Sequence, residues 1–147
     1  MLNNKEKTKI YKASAGSGKT FRLAVEYLKL ILKDKNAFKS ILAVTFTNKA
    51  TAEMKERILF ELYGLHRKYE DSDSYRDKLI EELGSGWNAE KISEKAGEAI
   101  SAIIHDYSHF RIETIDSFFQ SILRNLIHEL EIGAIVNLEL DNASVIH

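Results

Sequence analysis

The eight residues Ala13-Ser14-Ala15-Gly16-Ser17-Gly18-Lys19-Thr20 have the types and spacing to hold phosphate. They read A-x-x-G-x-G-K-T, a phosphate-binding loop with Ala13 in place of the usual first glycine. Glycines at 16 and 18 let the backbone curl, so that successive N–H groups converge on phosphate oxygens. Ala15, Gly16, Ser17 and Gly18 then line the loop, Lys19 reaches the β- and γ-phosphates, and the Thr20 hydroxyl holds Mg²⁺. The chemistry implied is nucleotide binding, with Lys19 and Thr20 as the catalytic candidates.

Such a loop works only between a strand and a helix. Lys9 to Lys12 sets charged residues around Ile10 and Tyr11, as a short strand does. Phe21 to Lys33 carries apolar residues at 21, 24, 25, 28, 31 and 32, which is helical spacing. A Gly/Ser turn capping an ordinary helix is the plain alternative, and the flanking pattern with an intact Gly-Lys-Thr argues against it.

Further along, Asp34-Lys35-Asn36 marks a turn, and Ser40 to Phe46 is a nearly continuous apolar, β-rich run. That pattern predicts a central strand covered on both faces, joined to the first strand as a right-handed βαβ unit. A helix follows, with Asn48 as N-cap and Ala50, Met54, Ile58, Leu62 and Leu65 on one face. Glu53 and Arg57 stand four apart in the favourable order for an ion pair. Glu70 to Gly86 is acidic and polar, and reads as a loop and a short helix projecting from the sheet. Ala89 to His105 is helical, with Ile92, Ala96, Ile100 and Ile103 in register, and Phe110 to Ile115 reads as a third strand.

Ser117 to Leu130 is the most amphipathic segment, with Phe119, Ile122, Leu123, Leu126, Ile127 and Leu130 on one stripe. Ser117 and Gln120 make a capping-box pattern at its start, Gly133 ends it, and Ile135 to Leu140 reads as a further strand.

The 147 residues suit one domain with one core, and 44% hydrophobic with 29% charged residues is the composition of a soluble globular chain. There is no apolar run long enough to span a membrane and no signal-peptide pattern at the start. With no cysteine, disulfides and thiolate metal sites are excluded, and a reducing cytoplasm is the expected location. Net charge is −1, but residues 1–40 hold ten Lys/Arg against three Asp/Glu. That basic first quarter suits polyanions, triphosphate or a nucleic-acid backbone, and equally a solvated lysine-bearing helix face.

Three stretches stand in an order that resembles superfamily-1 helicases. Ala13 to Thr20 resembles their motif I, and Thr45-Phe-Thr-Asn-Lys-Ala-Thr-Ala-Glu-Met54 resembles motif Ia. Thr114-Ile-Asp-Ser-Phe-Phe119 is similar to the later single-strand-binding motif T-x-H-x-F, and Val136 to Asp141 is similar to the segment after it. Together they resemble the UvrD/Rep helicases, in particular the AddA/RecB branch of ATP-dependent helicase–nucleases.

The resemblance implies an α/β fold: a RecA-like P-loop NTPase with a parallel sheet flanked by helices. Residues 1–147 would be the N-terminal part of the first motor domain, with about 66–108 as a helical insertion. It implies that Gly16, Gly18, Lys19 and Thr20 bind Mg-ATP. It implies that Thr47, Asn48 and Lys49 meet the backbone of single-stranded DNA, and that Asp116, Ser117 and Phe118 border the DNA track. Of the two adjacent aromatics, Phe118 rather than Phe119 is expected to be the exposed one.

The chain departs from the family pattern in places. Asp116 stands where many relatives have His, and the adenine-reading glutamine has no counterpart, since the only Gln is Gln120. The later acidic Asp-Glu pair and the transition-state arginines of a second motor domain have no place here, nor does a nuclease signature. The expectation is an N-terminal piece of a longer helicase or helicase–nuclease that acts on single-stranded or duplex DNA. Its partners would be the remaining motor domains and a second helicase–nuclease subunit, with no membrane. A small P-loop kinase and a nucleotide- or DNA-binding module without turnover are the two alternatives.

Overall fold

The structure, a computed structural model, describes Ile10 and residues 18–129. In chain order the described elements are α1 (Lys19–Lys33), a 3-10 turn (Ala37–Ser40), β1 (Ala43–Thr45) and α2 (Asn48–Arg67). There follow a 3-10 turn (Glu70–Ser72), α3 (Asp73–Leu83), α4 (Ala89–His105), a 3-10 turn (Tyr107–His109), β2 (Ile112–Thr114) and α5 (Ile115–Glu129). The result is a mostly helical α/β arrangement with a small parallel sheet.

Helical periodicity decides which faces pack. α1 turns Ala24, Val25, Leu28, Ile31 and Leu32 inward, and α2 buries Met54, Ile58, Leu62 and Leu65. α4 runs over the residues its pattern predicts and buries Ile92, Ala96, Ala99 and Ile103. Its start is fixed by Asn88, whose Oδ1 accepts from the Lys91 N–H at 2.9 Å. These stripes meet in one core with Phe38, Phe110 and Ile112, where each fully buried large aliphatic contributes about 1.5–3 kcal/mol.

α2 and α4 approach closely because Gly97 has no side chain: a Cβ there would lie 2.6 Å from His66 Nδ1. The two helices are also pinned by polar contacts. Ser93 Oγ donates to the His66 carbonyl at 2.7 Å, and His66 Nδ1 lies 3.0 Å from the Ser93 carbonyl.

β1 and β2 pair in parallel, with Ala43 opposite Ile112, Val44 opposite Glu113 and Thr45 opposite Thr114. The chain between them is the helical crossover α2–α4, as parallel pairing requires. The run Ser40 to Phe46 is therefore not a long doubly covered strand. Ser40 ends a 3-10 turn, only Ala43–Thr45 pairs, and Val44 is exposed. Among the described residues only β2 pairs with it, on one edge. The strand expected over Phe110 to Ile115 is likewise shortened to Ile112–Thr114.

Other local expectations shift. Thr47, not Asn48, caps α2: its Oγ1 accepts from the Ala50 N–H at 3.1 Å while its backbone is extended. Thr114 replaces the Ser117/Gln120 box, its Oγ1 accepting from the Ser117 N–H at 3.1 Å. In both cases a threonine at or just past a strand end reaches the helix first. Glu53 makes its ion pair with Lys49 at 3.8 Å and reaches Arg57 through its field alone. The short helix within Glu70 to Gly86 is α3, and it lies against α1 rather than projecting: Tyr75 and Leu79 are buried in the core. Of Lys9 to Lys12 only Ile10 is described, as exposed chain outside any strand. Leu130, Gly133, Ile135 to Leu140 and Val136 to Asp141 lie outside the described residues.

Candidate phosphate- and nucleic-acid-binding site

Gly18 closes the loop and opens α1. Its φ of 78° and ψ of 17° are left-handed, a conformation that costs about 1–2 kcal/mol for a residue with a Cβ. Space is not the constraint, since a Cβ there would meet nothing within 4 Å. From this point the helix is set, with the Arg22 N–H donating to the Gly18 carbonyl at 2.8 Å.

Among the described residues no side chain caps this helix end, and no acidic residue stands in its first turn. The leading N–H groups and the positive end of the helix dipole are left for an anion. Lys19 and Thr20 follow directly, both exposed. Ala15, Gly16 and Ser17 lie outside the described residues, so the described part of the loop is Gly18-Lys19-Thr20. Two side-chain contacts of this first turn run to α3, beside the Arg22–Glu26 pair within α1. The Phe21 and Tyr75 rings lie 4.4 Å apart, and Arg22 is ion-paired with Glu82.

The second group forms where the sheet ends. Thr45 and Thr114 are paired last residues of β1 and β2, so the chain leaves both strands along one edge. In parallel α/β sheets that carboxyl edge is where ligands bind. It brings Thr47, Asn48 and Lys49 to the same edge as Asp116, Ser117 and Phe118. The turn into α2 is braced by Thr45, whose Oγ1 lies 3.1 Å from the Thr47 carbonyl and 2.6 Å from Thr51 Oγ1. Asn48 and Lys49 project outward, Lys49 with 87% of its side chain exposed, and the first turn of α2 carries no acid either.

The turn into α5 differs. Thr114 Oγ1 donates to Ser117 Oγ at 2.8 Å as well as accepting from its N–H. Asp116 sits exposed in the first turn and neutralises the positive helix end there. Phe118 is half-buried while Phe119 is 57% exposed, the reverse of the expectation. The helix presents 119 outward, and the two rings lie 5.7 Å apart at 59°.

Two recesses lie elsewhere, along the outer face of α2. One, of about 340 Å³, is lined by Glu53, Glu56, Arg57, Phe60 and Glu61. The other is lined by Ala52, Lys55, Glu56, Leu59, Phe60 and Tyr107. Neither includes a residue of the loop or of the sheet edge, and the carboxylates of the first repel phosphate. Burial pushes the Glu61 carboxyl up, and Ser72 and Arg57 draw it back only in part.

Away from both groups, Asp106 is held down to about 2 by Lys39, 2.7 Å away, and by His109; the Lys39 pair ties the turn after α4 to the turn before β1. Thr45, Thr51 and Glu82 were not singled out by sequence reasoning. For the threonines the signal was their place in the stretch Thr45 to Met54, one on either side of the turn into α2. Glu82 gave no local signal, its partner Arg22 being sixty residues away.

The chain matches the family described as UvrD/REP helicase N-terminal domain over residues 2–145. It is 32% identical over 123 residues to an ATP-dependent helicase/nuclease subunit of Acetivibrio thermocellus, covering 82% of this chain and 8% of that protein. It is 38% identical over 87 residues to the RecBCD enzyme subunit RecB of Escherichia coli, covering 51% of this chain and 7% of that protein. A second ATP-dependent helicase/nuclease subunit, from Alkaliphilus metalliredigens, is 54% identical over 46 residues, 31% of this chain and 4% of the relative. The chain thus spans less than a tenth of the length of these relatives. No solved structure matches. A family match over nearly the whole chain, with Gly-Lys-Thr opening α1 and Thr-Asn-Lys opening α2, leads to one conclusion: the chain belongs to the UvrD/REP helicase N-terminal domain family.

Proposed function

We propose that this chain is the ATP- and single-stranded-DNA-binding part of the first RecA-like motor domain of an ATP-dependent DNA helicase, of the helicase–nuclease kind, acting in DNA unwinding and repair. Family membership supports the P-loop NTPase fold. The relatives named as helicase/nuclease subunits support the enzyme class, and the name RecBCD supports assembly with further subunits. A cytoplasmic setting goes with that role, and no described helix is long and apolar enough to cross a membrane.

The observation that carries the proposal is the uncapped, acid-free start of α1 at Gly18-Lys19-Thr20. Those residues fit Mg-ATP. The left-handed Gly18 turns open N–H groups toward an anion, Lys19 supplies a mobile cation for the β- and γ-phosphates, and the Thr20 hydroxyl is a hard oxygen donor for Mg²⁺. Bound Mg²⁺ neutralises the charge that develops as the γ-phosphoryl departs. Lys19 stabilises the same charge from the protein side, and Ala15, Gly16 and Ser17 complete the cradle in this proposal. Thr47, Asn48 and Lys49 hold a DNA phosphate at the start of α2, whose first turn carries no acid. Asp116 and Ser117 shape the neighbouring turn, and Phe118, with the more exposed Phe119 beside it, offers a ring for a base.

The test is Mg-ATP binding by the full chain and its Lys19→Ala variant. Loss of the lysine weakens binding at least about tenfold, equivalent to 1.4 kcal/mol. Unchanged affinity would sink the assignment.

A further inference from the structure

The first turn of α1 is gripped from outside the loop. Glu82, at the end of α3, binds Arg22 through Oε1 and Lys29 through Oε2, the latter at 2.6 Å. Glu26 of α1 closes the cluster, 2.9 Å from Arg22 and 3.2 Å from Lys29. The Glu82 and Lys29 side chains are only 13% and 14% exposed, so this is a desolvated pairing rather than a screened surface contact. Burial opposes the charged form of Glu82, yet Lys29 and Arg22 overcome it and hold the carboxyl below its ordinary value. The Tyr75 ring packs on Phe21 beside it. Phe21 and Arg22 are the two residues that follow Lys19-Thr20.

We propose that Glu82 is a positioning residue for Mg-ATP binding: through Arg22 and Lys29 it fixes the first turn of α1, and with it the direction of Lys19 and of the open N–H groups. This rests on Gly18-Lys19-Thr20 binding the nucleotide. Lys78 of α3 also lies 3.8 Å from Glu82, so three cations share this carboxylate. Freed of Glu82, Arg22 is less restrained, and the helix start loses its ionic link to α3. The effect falls on ground-state binding, since Glu82 reaches the phosphates only through the helix it holds.

The experiment compares Glu82→Gln, Glu82→Asp and Arg22→Gln with Lys19→Ala in the full-length helicase that carries this chain, reading Kd for Mg-ATP and the KM and kcat of DNA-stimulated hydrolysis. Glu82→Gln raises Kd and KM about three- to tenfold with kcat kept within about twofold, the size of a coupling carried through one packed contact. Glu82→Asp, which keeps the charge on a shorter arm, recovers part of the loss. Arg22→Gln removes the other end of the pair and moves KM the same way, which keeps the test open should Glu82→Gln fold poorly. A general loosening of the fold would instead lower kcat through the active fraction and leave KM in place, and that result overturns the proposal. So does a KM unchanged by both Glu82→Gln and Arg22→Gln while Lys19→Ala abolishes binding, or a Glu82→Asp as impaired as Glu82→Gln. Unchanged binding in Lys19→Ala removes the nucleotide site itself, and the role of Glu82 falls with it.

Discussion

Helices α4 and α5 carry the same kind of stripe and meet opposite fates. α4 lays Ile92, Ala96, Ala99 and Ile103 against α2 and α1, whereas α5 has no buried residue among those described. Phe119, Ile122, Leu123, Leu126 and Ile127 of α5 lie exposed, as do Val44 and Phe46 of the neighbouring strand and turn. An apolar stripe records a demand for cover, and it says nothing about where the cover comes from. For α4 the cover lies within the described residues. For α5 it does not, in a chain that spans less than a tenth of its relatives.

The largest expected contrast is in stability. Ile103→Ala, at a fully buried site, destabilises this chain by about 2–5 kcal/mol in urea unfolding, while Leu123→Ala on α5 stays within about 0.5 kcal/mol. Equal losses at the two sites would break the comparison, because they would require α5 to be covered after all.

The caps sharpen it at smaller scale. Asn88→Ala removes the α4 cap and lowers global stability by about 1 kcal/mol. Thr114→Ala removes the α5 cap, and its effect is read as a loss of helix signal at unchanged urea midpoint. A midpoint shift as large as that of Asn88→Ala would mean that α5 unfolds with the core.

The smallest effect concerns a carboxyl on the packed side. Glu61 is 6% exposed, and its Oε2 is buried without a hydrogen-bond partner. Its folded pKa is raised above the unfolded one, so stability is fullest below the ordinary glutamate value of about 4.3 and is lost as pH rises through the folded pKa. Glu61→Gln therefore melts higher than the unsubstituted chain at pH 7, and the two curves converge near pH 4. A gap independent of pH would show that the charge is not the cause.

Local pattern made the helices legible. α4 begins and ends where its cap and period predict, and α1 extends its predicted span only by Lys19 and Thr20. The strands were less so, because a run such as Ser40 to Phe46 shows apolar character without showing how many neighbours pair with it. Helix starts slipped where two cap-competent residues stand close together, Thr47 beside Asn48 and Thr114 before Ser117. At the site, Gly18, Lys19 and Thr20 were readable from their own spacing, since loop chemistry is local. The grip of Glu82 on Arg22 was not, because a tertiary ion pair leaves no trace in either segment. Phe118 and Phe119 exchanged roles for a related reason: which neighbour faces outward depends on the rotation of α5, set by Thr114 and Ser117.

The parallel pairing of β1 with β2 also bears on how the chain is made. Val44 must wait for Glu113, and 66 residues lie between the ends of the two strands. At synthesis rates of about 5–20 residues per second that interval is roughly 3–13 seconds. Throughout it β1 has no sheet partner among the described residues, and Phe46 stands beside it, 89% exposed even in the finished fold. The helices α2 to α4 fill that interval, and their local contacts form on far shorter timescales. Strand closure is thus a late step that a preassembled helical body makes possible, and the nascent chain is most open to misassociation before α4 has emerged.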